Sequence, residues 1–421
     1  GWEEDDGVNQ EVAEYFQTEL YQLPAFLTGG NIMTDGYGTA FSTTQMFAEN
    51  DDMLTENQFR QLAYDYCGIA DYHLLSNTED YGIQHIDCAA KLLDEERILV
   101  KSLPGWHPEY ERMENLVTEL SQLTSCFGRP YQIFRIFCAS YDGNSVAAYT
   151  NSLILNNKVF VPLFDIASDT AALETYQNLM PGHTVIGIPY SLWYYYDALH
   201  CRTRAIFDRF MLRMEHRPLD QEISADEELR FDVKITDHSE TGLIYDQLWL
   251  KWRFAQSPDW LETSLAETDI PDVYSCTLAP LPVGTEIEYY LTAADNSGRE
   301  EKLPGTAPLS FYSFQISDVS SEGQTITPSF SFLGNYPNPF NPSSAGRTPS
   351  TTFSFLLTSP ETVSLDIYNL RGQLVTTLTN DYYSAGRHNV NWNPQHLPSG
   401  IYLYRIQCGN NHIQGKSILL K

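Results

Sequence analysis

Ile98-Leu99-Val100, followed by Tyr110-Glu111-Arg112-Met113-Glu114-Asn115-Leu116-Val117-Thr118-Glu119-Leu120-Ser121-Gln122-Leu123, is the stretch that decides the fold. The first run is short, β-branched or apolar and unbroken, which predicts a buried strand. In the second, Met113, Leu116, Val117, Leu120 and Leu123 recur at steps of three and four, which predicts an amphipathic helix. Val159-Phe160-Val161 repeats the buried-strand pattern further on, so residues 1–213 are expected to form an α/β domain.

Outward from there the texture changes at about residue 218. Leu248, Leu250, Trp252 and Phe254 alternate with Trp249, Lys251 and Arg253, the period-two mark of a half-buried strand. Ile287 to Ala293 predicts a later strand, closed by the turn Asp295-Asn296-Ser297-Gly298. Strands of this kind over 218–317 fit an all-β, immunoglobulin-like sandwich. Residues 318–334, rich in Ser, Thr and Gly and without periodicity, suit a linker. Val363 to Tyr368, Leu374 to Leu378 beyond the turn Arg371-Gly372, and Gly400 to Ile406 predict a second small β-sandwich over 335–421.

A chain of 421 residues exceeds what one core supports, so two or three domains are expected. Its 25 Lys and Arg face 55 Asp and Glu, a net charge of −30. That balance repels phosphate backbones and anionic lipid and excludes nucleic acid and membrane surfaces as partners. The charge is uneven. Residues 331–421 hold Arg347, Arg371, Arg387, Arg405, Lys416 and Lys421 against Glu361, Asp366 and Asp381, so the first 330 residues carry −33.

The seven cysteines are an odd number, scattered, with no C-x-x-C spacing and hence no zinc or redox signature. At least one thiol is left over if the others pair, and Cys67, Cys88, Cys126 and Cys138 read as packed thiols. No calcium loop or His/Cys ligand pattern appears, so neither a metal nor another cofactor is expected. No run approaches the roughly 18 apolar residues needed to span a bilayer. Gly1-Trp2-Glu3-Glu4-Asp5-Asp6 does not read as a signal peptide, so a removed leader or a start further upstream is expected.

Near the C-terminus, Asn335-Tyr336-Pro337-Asn338-Pro339-Phe340-Asn341-Pro342, Ala385-Gly386-Arg387-His388, Trp392 and Ser399-Gly400-Ile401-Tyr402 stand in a distinctive order, with a short terminal strand at Lys416 to Lys421. This order resembles the type A sorting domains of the type IX secretion system. The insertion Ser344 to Pro349 departs from that pattern and lengthens one loop. The resemblance implies export by the type IX machinery to the surface of a Gram-negative bacterium or beyond it.

Three further motifs lie in the first domain: Gly29-Gly30-Asn31-Ile32-Met33-Thr34-Asp35-Gly36; His85-Ile86-Asp87-Cys88; and Tyr149-Thr150-Asn151-Ser152-Leu153-Ile154-Leu155-Asn156 paired with His200-Cys201-Arg202-Thr203. Together they resemble the bacterial, Porphyromonas-type peptidylarginine deiminases of the agmatine deiminase superfamily, over nearly all of residues 8–213. The implied fold is an α/β pentein-type propeller, its first module largely missing, followed by the two immunoglobulin-like sandwiches.

The resemblance also implies the chemistry, hydrolysis of peptidyl-arginine to citrulline. Cys201 is the implied nucleophile, adding to the guanidinium carbon and passing through a covalent thiouronium. His85 would protonate the departing nitrogen and then take a proton from water. Asp87, two residues on, would share a strand face with His85 and accept hydrogen bonds from two guanidinium nitrogens. Asn151 would support the site beside the cysteine, Asp35 would shape a turn, and Tyr194-Tyr195-Tyr196 would lie in the core or wall the pocket.

The family also has an Arg-Asp-Tyr-Gly-Pro-like motif upstream of the Gly-Gly-Asn loop, whose carboxylate is the second guanidinium anchor, and two arginines that hold a C-terminal carboxylate. Residues 1–28 contain no such motif. Two expectations follow: an N-terminally truncated sequence of an active enzyme, or an incomplete pocket on a surface-displayed binding module. A third reading is an agmatine or free-arginine deiminase of the same fold. His-Cys-Arg-Thr around Cys201 and the export domain favour an extracellular arginine-containing peptide or protein as substrate.

Overall fold

The computed structural model describes residues 7–79, 82–143, 145–190, 193, 198–203, 206, 208–225, 227–318, 330–336, 340, 350–357, 360–369, 373–384, 386–394, 396–408 and 411–419. The tyrosines at 194–196, the Arg371-Gly372 turn, the 344–349 insertion and most of the proline-rich run at 337–342 lie outside them.

One arrangement recurs three times before residue 190. β1 (Met33–Thr34) and β2 (Thr39–Thr43) pair antiparallel, helix α1 (Glu56–Cys67) carries the chain back, and β3 (Asp71–Leu75) lies parallel to β2. The second copy is β4 (Ala90–Leu92), β5 (Arg97–Ser102), α2 (Tyr110–Ser121) and β6 (Gln132–Phe137). The third is β7 (Leu153–Leu155), β8 (Lys158–Leu163), α3 (Ser168–Leu179) and β9 (Thr184–Pro189). A parallel pair requires a crossover, and in each copy a helix supplies it.

Local sequence explains these elements. Ile98, Leu99 and Val100 are fully enclosed, and α2 turns Met113, Leu116 and Leu120 into the same core. The helix stops at Ser121, so Leu123 packs on that core from beyond its end. Helix α1 starts on a reciprocal cap, in which Thr55 Oγ1 accepts from the Gln58 amide and Gln58 Oε1 accepts from the Thr55 amide. It ends at Gly68 with φ of +68°, a conformation that costs other residues more.

Two sheets enclose the next core, which holds Phe231, Leu248, Leu250, Ile287, Tyr289, Leu291 and Phe314. Two more enclose the last, around Phe353, Phe355, Val363, Leu365, Ile367, Trp392 and Ile406.

Several expectations shift here. Strand Leu212–Glu215 pairs with Leu229–Asp237 and buries Leu212 and Met214 in the second core, which therefore begins ahead of residue 218. Strand Phe330–Tyr336 pairs with Thr351–Leu357, so residues 330–334 of the expected linker are strand. The alternation of Leu248 and Leu250 fades by Phe254, which is exposed. The last described strand starts well ahead of Lys416 and spans Asn411–Leu419. No disulfide joins any of the seven cysteines, and Cys67 is exposed rather than packed.

Candidate active site

The repeated module places the site. Each copy is entered through a tight turn: Gly29–Asn31 ahead of β1, Ile86–Cys88 ahead of β4, and the bend at Asn151 ahead of β7. A fourth turn, His200–Arg202, follows β9. Motifs far apart in sequence thus occupy equivalent places in successive copies, and the turns meet.

Hydrogen bonds run from turn to turn. Asn31, fully buried, accepts at Oδ1 from the Ile86 amide (3.0 Å) and from the Thr43 amide (3.0 Å). Thr150 Oγ1 donates to the Cys88 carbonyl at 2.9 Å. Asn151, also fully buried, accepts from the Cys201 amide at 3.2 Å and donates through Nδ2 to Cys201 Sγ at 3.1 Å. The His200 amide donates to the Asn151 carbonyl at 3.2 Å.

His85 and Asp87 do not lie on a strand, contrary to the reading of their spacing. His85 leads into a 3-10 turn at Ile86–Cys88, and the turn points both side chains at Gly30. A Cβ on Gly30 would fall 2.7 Å from His85 Nδ1 and 2.9 Å from Asp87 Oδ2, so only glycine leaves room for the pair. Asp87 Oδ2 receives Cys201 Sγ at 3.5 Å and faces His200 Nδ1 at 2.7 Å. All four sequence-derived residues, Cys201, His85, Asp87 and Asn151, are therefore brought into one cluster.

Burial opposes ionising Asp87, but the hydrogen bond and charge of His200, with Lys91 and His85, prevail and hold its carboxyl below the usual range. Burial pushes the His85 imidazole down, against the pull of Asp87 and Glu49, so the ring is neutral near pH 7. Its Nδ1 is enclosed and has no hydrogen-bond partner among the described residues. The hydrogen bond to Cys201, then burial, holds the Cys88 thiol well above the ordinary range. Lys91 is enclosed; burial lowers it to about 8 while Asp87, Cys201 and Cys88 resist that fall.

Gly30, Asn31, Cys88, Thr150 and His200 stand inside the quoted motifs but had no site role read from them, and Lys91 stands outside the motifs. Lys91 had a local signal, a lone charge inside Ala89-Ala90-Lys91-Leu92-Leu93. Asp35 is engaged in a turn, its Oδ1 accepting from the Tyr37 and Thr39 amides at 2.8 and 2.9 Å. One donor set suits a metal: a carboxylate oxygen of Asp87 and the sulfurs of Cys88 and Cys201 lie within 4.8 Å of one another.

The chain joins a deiminase-class domain to a secretion-sorting domain. Residues 1–206 match the family model of Porphyromonas-type peptidyl-arginine deiminase, and residues 335–420 match that of the secretion system C-terminal sorting domain. A Shewanella sp. (strain W3-18-1) protein, provisionally described as an agmatine deiminase, is 25% identical over 216 residues, 45% of this chain and 58% of that one. The chain thus spans less than two thirds of that relative's length.

Among solved structures, an agmatine deiminase of Enterococcus faecalis is 22% identical with a TM-score of 0.44, over 48% of this chain and 63% of that one. A Porphyromonas gingivalis protein, provisionally described as an arginine deiminase, is 28% identical with a TM-score of 0.38, over 41% and 54%. The sorting domain indicates type IX secretion to the cell surface or extracellular space. Among the described residues no helix is long and apolar enough to cross a membrane.

Proposed function

We propose that the first domain hydrolyses peptidyl-arginine to peptidyl-citrulline and ammonium, with Cys201 as nucleophile. The observation that carries this reading is the position of Cys201 Sγ, held by Asn151 at 3.1 Å and set 3.5 Å from the Asp87 carboxylate. A carboxylate kept ionised in an enclosed site suits a planar cation with paired N–H donors.

As the sulfur adds to the guanidinium carbon, the Cys201 proton passes to His85, which burial keeps neutral and ready to accept it. The imidazolium returns that proton to the departing nitrogen, which leaves as ammonia, and a thiouronium remains on the sulfur. His85 then takes a proton from water as the oxygen adds to the same carbon. The C–S bond breaks as the new hydroxyl gives its proton to the sulfur, releasing citrulline and the thiol, and the imidazolium gives its proton to solvent, where ammonia becomes ammonium. The repeated strand-strand-helix-strand module supports the pentein-type propeller reading, and the two-sheet cores support the immunoglobulin-like one.

Curated relatives described as agmatine deiminases motivate a second reading, a small guanidinium substrate. The sorting domain favours the polypeptide substrate. Protein expressed from its native coding sequence, assayed for citrulline with arginine-terminated peptides and for ammonia with agmatine, separates the two. Faster turnover of the peptides is expected, with none in Cys201→Ala. Turnover of agmatine alone would replace this reading, and retained activity in Cys201→Ala would remove Cys201 from it.

A further inference from the structure

We infer that Asp87, Cys88 and Cys201 form a binding site for a thiophilic divalent cation of the zinc type, which caps the Cys201 sulfur and closes the site to substrate. Tetrahedral zinc has Zn–S bonds of about 2.3 Å and Zn–O bonds of about 2.0–2.2 Å, so its S···O edges measure about 3.5 Å. Cys201 Sγ lies 3.5 Å from Asp87 Oδ2, and Cys88 Sγ lies 3.5 Å from Asp87 Oδ1. The two sulfurs and the carboxylate stay within 4.8 Å of one another, so a small closure completes a trigonal base.

The surroundings fit a ligand set. His200 Nδ1 bonds Asp87 at 2.7 Å and orients the carboxylate, as an outer partner of a metal ligand does. His85, nine-tenths buried, directs its Nδ1, which has no hydrogen-bond partner among the described residues, toward the same space beside Gly30. Asn151 Nδ2 reaches both sulfurs, at 3.1 and 4.0 Å, and so holds them on one side of the carboxylate. Binding displaces the two thiol protons, and water takes the fourth position. Because the capped sulfur is the proposed nucleophile, the effect on turnover rests on the deiminase reading, whereas binding itself does not.

Zinc chloride titrated into the reduced whole chain against a chromophoric chelator tests the site. One equivalent is expected to bind. Losing an outer partner costs about 10- to 100-fold in affinity, so Cys88→Ser and Cys201→Ser should each cost at least about 100-fold. Cobalt(II) should show thiolate charge-transfer absorption that both variants lose. Zinc should shield the half-buried Cys201 from iodoacetamide and leave the exposed Cys67 reactive.

Should Cys88→Ser fail to fold, Cys201→Ser, at a half-buried position, carries the same test. Unchanged affinity in a folded cysteine variant, or no stoichiometric binding, overturns the inference. Zinc bound as expected by a chain that releases no citrulline when zinc-free would leave the site standing and sink the deiminase reading. Citrulline release that zinc neither slows nor binds to affect would do the reverse.

Discussion

Gly30 sits where two side chains need the space above its α-carbon, and that small fact governs the geometry of the cluster. Gly30→Ala drives a methyl into His85 Nδ1 and Asp87 Oδ2. A displacement on the order of 1 Å at reacting groups costs about 100-fold in rate. The variant is expected to lose about that in kcat/KM while its melting temperature moves little; full activity would show that the pair need not press on Gly30. Glu79 offers a stability test. Burial raises its carboxyl to about 8, against the pull of Lys101, from an unfolded value near 4.5. Between those values the unfolded chain has already given up the proton, so stability falls as pH rises from 4.5 to 8. Urea midpoints of Glu79→Gln should gain on the parent across that window, and a constant difference would contradict the assignment.

At the scale of elements, the turns ahead of β1, β4 and β7 do the work of convergence. Thr150 ties the third copy to the second through the Cys88 carbonyl. Thr150→Val keeps the shape and removes that buried bond, with an expected cost of about 1–3 kcal/mol in urea unfolding and a lower kcat. Leu116→Ala on α2 should cost about 2–5 kcal/mol, because Leu116 is enclosed in the shared core. The helix and strands around residues 98–123 were legible in the sequence because apolar periodicity is a local signal. The pairing of His85 with Asp87 was legible as a motif but not as geometry, since a period-two reading cannot distinguish a strand from a 3-10 turn. Cys88 and His200 were invisible as site residues because their roles arise only when separate turns meet.

Across the whole molecule the negative charge lies in the first 330 residues, which carry −33, while the residues after them are net basic. The second core adds an acid-sensitive point. His216 is enclosed between the Asp232 carbonyl at 2.7 Å and the Tyr289 hydroxyl at 3.0 Å, and burial lowers it to about 4. The unfolded chain takes up the proton near 6.5, so this stability is complete above 6.5 and is lost as pH falls toward 4. His216→Gln should flatten the urea midpoint over that range, and an unchanged slope would argue against the assignment. The chemistry itself rests on Cys201. Protein from the native coding sequence, mixed with an arginine-terminated peptide, acid-quenched within the first turnovers and digested, can be mapped by mass spectrometry. A peptidyl amidine adduct on Cys201 that disappears as citrulline accumulates is the expected result. Citrulline formation with no adduct there, or with the adduct on Cys88, would contradict it.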